Sequence, residues 1–73
     1  MDFFTTLYPN FEQMNRIKEV LREKGIKQIW LAENLGKNYN MINGYATNKR
    51  QPSIEVLDEI AKLLQVNAKE LLS

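Results

Sequence analysis

Cysteine and histidine are both missing from the 73 residues. Without cysteine there is no disulfide and no thiolate metal site, and without histidine there is no imidazole catalysis. The chain has no Gly-rich phosphate loop and no nucleophile–base pair. The neighbouring acids Asp58 and Glu59 fall on diverging sides of a helix and read as solvated surface. An enzyme is therefore not expected, and neither is a cofactor or a metal. Long apolar runs are missing too. The N-terminus, M-D-F-F-T-T-L-Y-P, has no basic stretch ahead of a hydrophobic one, so neither a signal peptide nor a membrane span is expected. These absences predict a cytoplasmic protein with no evident small-molecule ligand.

Charge is scarce only in the sum. The net value is +1, but residues 24–50 carry Lys24, Lys27, Lys37, Lys49 and Arg50 against Glu33 alone, a local net of +4. The flanking segments are slightly acidic. Positive charge gathered on one part of a small domain suits contact with phosphates.

Apolar residues recur at helical spacing, which predicts an all-α chain of five helices and no strands. Asn10 with Gln13 resembles a capping box, so the first helix is expected from about Phe11, with Met14, Ile17, Val20 and Leu21 inward and Gly25 at its end. A second helix is expected over 28–35 and a third from Asn38, its N-cap, to about Ala46. Asn48 suits the left-handed position that follows. Ser53 caps a fourth helix with Ile54, Leu57, Ile60, Ala61 and Leu64 on its inner face. Asn67 and Glu70 open a short last helix carrying Leu71 and Leu72. A domain this small buries only about 60% of its unfolded surface, so dimerisation is a natural supplement. Residues 1–13 hold Phe3, Phe4, Tyr8 and Phe11 and read as an aromatic-rich extension to a domain spanning 14–73. They are expected to pack on their own domain or on a partner subunit.

The most informative window is Q-I-W-L-A-E-N-L-G-K-N-Y-N-M-I-N-G-Y-A-T, residues 28–47. Two helices joined by a short turn at a wide angle need a small residue where their backbones meet, and Ala32 supplies it. Gly36 accepts the left-handed conformation that ends the first helix. Ile42 plugs the angle from the second. With N-R-I-K-E-V-L-R-E-K-G (15–25), N-K-R-Q-P-S (48–53) and I-E-V-L-D-E-I-A-K-L-L-Q-V-N-A-K-E-L-L (54–72), the chain resembles the lambda-repressor/Cro-type, or XRE, helix-turn-helix family over residues 15–72. Its residue choices resemble those of small regulators found beside restriction–modification genes.

The resemblance implies a compact five-helix DNA-binding domain whose third helix enters the major groove. It implies base-reading positions at Tyr39, Asn40, Asn43 and Gly44, with Thr47 near the groove's edge and the N-cap Asn38 among the DNA-binding residues. It also implies a phosphate clamp at Gln28 and backbone contacts from Lys49 and Arg50. Asn40 and Asn43 carry the carboxamide that pairs bidentately with adenine. Tyr39 suits either a thymine methyl or a phosphate.

The departures from the family pattern matter as much. Gly44 stands where relatives often carry a long side chain; it either lets the helix approach DNA closely or reads nothing. Lys37 replaces an apolar residue, so its stem covers the core while its ammonium group faces phosphate. Ile29 and Trp30 replace polar residues and suggest a contact surface. The implied function is sequence-specific binding of double-stranded DNA by a homodimer on a near-palindromic operator. The alternative is a protein-interaction module, antitoxin-like or anti-repressor-like, that keeps the fold without reading DNA.

Overall fold

The computed structural model describes residues 15–72. Among the described residues four α-helices follow one another: α1 (Ile17–Lys24), α2 (Gln28–Leu35), α3 (Tyr39–Ala46) and α4 (Ile54–Leu64). The chain closes with a 3₁₀ turn over Ala68–Leu71. The class is all-α as expected, but the fifth helix is a single 3₁₀ turn rather than an α-helix. Among the described residues the only β-type pairing is an isolated antiparallel bridge between Asn15 and Leu72.

That bridge precedes the helix that carries Ile17, Val20 and Leu21, which begins at Ile17; the expected start near Phe11 lies outside the described residues. Arg16 donates its N–H to Leu71 at 2.7 Å, and the Asn15 side-chain oxygen accepts the Ile17 N–H at 3.1 Å. Residues 15 and 16 thus pair with the far end of the chain instead of extending the helix. The proposed Asn10–Gln13 capping box, Met14 and the aromatic extension lie outside the described residues.

The other helix starts follow local chemistry. Asn38 accepts the Met41 N–H at 2.8 Å, Ser53 accepts the Val56 N–H at 3.2 Å, and the Glu70 carboxylate accepts the Asn67 N–H at 2.8 Å. Each of the four described helices is closed by a residue with positive φ, Gly25 at 68°, Gly36 at 67°, Gln65 at 58° and, one residue beyond the Thr47 cap of α3, Asn48 at 62°. In each case the following N–H donates five residues back, as from Ile26 to Leu21 and from Lys37 to Ala32. Gln65 is the surprise, because a branched-free polar side chain gains nothing from that conformation.

The core is built from Ile17, Val20 and Leu21 of α1, Leu31 and Ala32 of α2, Ile42 and Tyr45 of α3, Ile60, Ala61 and Leu64 of α4, and Leu71. Helix α2 packs on α3 and α4, while the 3₁₀ turn closes against α4 and α1. Two residues assigned to inner faces stand outside. Ile54, the first residue of α4, is 82% exposed, and Leu72 is 48% exposed. The side chain of Ile54 precedes the first full turn and has no neighbouring helix to cover it. Among the described residues no helix is long and apolar enough to cross a membrane.

Candidate nucleic-acid interface

The elbow between α2 and α3 is set by three residues. Ala32 is buried to 2% and Ile42 to 0%, so the helices meet there without room for larger groups at Ala32. Gly36 turns the chain, and Lys37 and Asn38 then bring it to the start of α3. Tyr45 and Ala46 are buried with Ile42, which sends that face of α3 inward. The opposite face carries Asn40, Asn43 and Thr47. Asn40 and Thr47 are exposed and Asn43 is half-buried. The Thr47 hydroxyl donates to the Asn43 carbonyl at 2.8 Å, so its proton is used inside the helix while its oxygen remains an acceptor. Asn38 spends its oxygen on the cap, leaving its NH2 for a partner.

At the N-terminal end of α3 several residues converge on an open depression of about 420 Å³, lined among others by Lys18, Arg22, Lys27, Gln28, Ile29 and Tyr39. Gln28 opens α2, where unpaired backbone N–H groups and the helix dipole favour an anion. Its Oε1 is buried without a hydrogen-bond donor.

Lys18 and Arg22 escaped the sequence reading because they sit in a segment whose net charge is negative. Their spacing of four residues, which puts them on one side of α1, was the available signal. Ion pairs among the described residues join Arg16 to Glu19 and Glu23, and Lys62 to Asp58. Lys18, Arg22, Lys27, Lys37, Lys49 and Arg50 take part in none of these.

Lys49 and Arg50 follow the other end of α3, about 12 Å along the helix at 1.5 Å per residue. Their N–H groups both donate to the Gly44 carbonyl, at 2.9 and 3.3 Å, which folds the loop tightly onto α3. The Arg50 side chain then runs back along the helix. A Cβ on Gly44 would lie 3.0 Å from Arg50 Cγ and 3.2 Å from Cδ, and Arg50 Nη1 donates to Met41 Sδ at 3.2 Å.

Ile29, Trp30 and Tyr39 are 48%, 40% and 47% exposed, so the apolar pair expected at the surface is there. A second open depression, of about 440 Å³, runs beside Trp30 and is lined also by Ile26, Ile29 and Glu33.

Comparison with known proteins agrees with this geometry. A crystal structure of a protein from Bacteroides fragilis, provisionally described as a DNA-binding protein, superposes with a TM-score of 0.82. It is 44% identical, and the match covers 84% of this chain and 98% of that one. No curated protein matches the chain. The helix-turn-helix family model matches residues 17–71, from the first residue of α1 to the end of the 3₁₀ turn. This chain belongs to the helix-turn-helix family, of the XRE type.

Proposed function

We propose that this protein is a sequence-specific double-stranded DNA-binding regulator that acts as a homodimer on a near-palindromic operator. The observation that carries the reading is the polar, outward face of α3 beside the N-terminus of α2 and a cluster of cations that join no ion pair among the described residues. Helix α3 lies in the major groove, where Asn40 and Asn43 read base edges and Tyr39 and Thr47 flank them. Gln28, Lys37 and Lys49, joined by Lys18, Arg22 and Lys27, hold the phosphates.

One short helix reaches only a handful of base pairs, too few to single out a site among the millions in a genome. Two copies with half-sites about one helical turn apart remove that deficit. Such a protein regulates by occupancy, blocking or recruiting polymerase at a promoter.

Selection of bound sequences from a random DNA library, followed by titration of the selected site, tests this directly. The expected result is a two-fold symmetric site bound by two chains. Affinity should fall by roughly 10³-fold or more between 50 and 200 mM salt. A library that shows no enrichment, with no retention on DNA at low salt, would refute the proposal. It would favour the second reading, a protein-interaction module, for which the exposed Ile29 and Trp30 supply a surface.

A further inference from the structure

We propose that Arg50 is a base-reading residue, delivered onto α3 from the following loop, and that Gly44 is its seat. This rests on the DNA-binding reading above and assigns one specificity determinant within it. Glycine inside a helix costs about 1 kcal/mol relative to alanine, so its presence in the second turn of an eight-residue helix calls for a return. The return is visible. The volume where a Cβ would stand is bordered by Arg50 Cγ, Cδ and Nε at 3.0, 3.2 and 3.4 Å. Gly44 is buried for this reason, although it faces outward between Asn40 and Thr47.

The path of the side chain sets its role. The Arg50 N–H bonds to the Gly44 carbonyl anchor its backbone at the C-terminal end of α3. Its stem crosses Gly44, and Nη1 reaches Met41 Sδ at 3.2 Å. Met41 directly follows Asn40, so the guanidinium sits at the level of the first turn, the end of a recognition helix that meets base edges.

A thioether is a weak acceptor, and Arg50 joins none of the three ion pairs found among the described residues. Among the described residues, most of its five N–H donors therefore have no partner. A planar fork of this kind, presented in the major groove, matches the O6 and N7 of guanine. The expected ligand is a guanine within one or two base pairs of the position read by Asn40. A phosphate on the groove's rim is the competing destination.

Selection from a random library with the wild-type protein, Arg50→Lys, Arg50→Ala, Gly44→Ala and the Gly44→Ala/Arg50→Ala double variant separates these outcomes. The wild type should require a guanine at one position per half-site. Arg50→Lys and Arg50→Ala should each lower that preference by roughly 5- to 150-fold, while Arg50→Lys retains most affinity for random DNA. Gly44→Ala should weaken the same preference by displacing the stem, and the double variant should match Arg50→Ala alone.

If Arg50→Lys binds like the wild type and Arg50→Ala loses affinity evenly over all sequences, the residue holds a phosphate and the proposal is overturned. It is overturned too if Gly44→Ala costs as much without Arg50 as with it. A wild-type protein that enriches no sequence at all would overturn both this proposal and the DNA-binding reading. Melting curves of each variant confirm that a lost preference is not lost folding.

Discussion

Replacing Asn15 by aspartate changes one atom group and should damage the domain more than removing the side chain altogether. The Asn15 carboxamide makes three hydrogen bonds. Its NH2 donates to the Tyr45 carbonyl at 2.9 Å and to the Gln51 side-chain oxygen at 2.9 Å, and its oxygen accepts from the Ile17 N–H at 3.1 Å. The residue is 5% exposed, so water cannot substitute freely.

In Asn15→Ala the buried Ile17 N–H loses its partner, which costs about 1–3 kcal/mol. In Asn15→Asp that bond survives, but a carboxylate replaces the NH2 against two oxygen acceptors. An uncompensated buried charge costs about 3–5 kcal/mol. A domain of this size has only about 4–11 kcal/mol in hand. At roughly 4–8 °C per kcal/mol, the alanine variant should melt about 5–20 °C below the wild type and the aspartate variant lower still at pH 7.

The sign of the pH effect follows. The buried aspartate's folded-state pKa is raised above its unfolded value of about 3.9. Its protonated form donates as the amide did, so the deficit is smallest below that value and grows as pH rises through the folded pKa. Thermal melts of the three proteins between pH 3.5 and 7 are sufficient. An aspartate variant as stable as the alanine variant at pH 7, or a gap from wild type that does not narrow in acid, would refute the reasoning.

Other substitutions test separate parts of the account. Ile42→Ala empties the plug of the elbow, where the side chain is fully buried, and should cost about 2–5 kcal/mol in denaturant titration. Gln65→Gly relieves a left-handed residue that has no glycine and should raise the melting temperature, by an amount worth up to about 1 kcal/mol. Ile54→Lys, at a position 82% exposed, should leave stability within about 0.5 kcal/mol of wild type; a larger loss would mean that something covers it in solution. Gln28→Ala should weaken binding to all DNA sequences about equally, and a loss confined to particular sequences would contradict a phosphate clamp.

What was legible in the sequence was what short-range sterics decide. Ala32, Gly36 and Ile42 meet across a single elbow between consecutive helices, and the caps at Asn38, Ser53 and Glu70 reach three residues. Each was found where its pattern placed it. What was not legible depends on partners far along the chain. The start of α1 is set by Asn15, whose hydrogen bonds cross 30 and 36 residues. Gly44 looked like a gap in the reading face because its occupant returns from a loop six residues later. Lys18 and Arg22 join the site only because the fold brings them to the same depression as Gln28 and Tyr39, which no local charge count registers. Ile54 kept the helical rhythm of α4 yet faces solvent, since rhythm places a residue on a side of its helix without saying how far the neighbours extend.

The bridge between Asn15 and Leu72 makes the domain nearly circular. Its two doorways stand side by side, so linking them through a few residues adds little loop-closure entropy. A cyclised or circularly permuted form should thus keep the helical layout. It also means that tethers fastened at either doorway emerge from one spot. A tug between them loads the Arg16–Leu71 stitch first, sparing the elbow that carries α3.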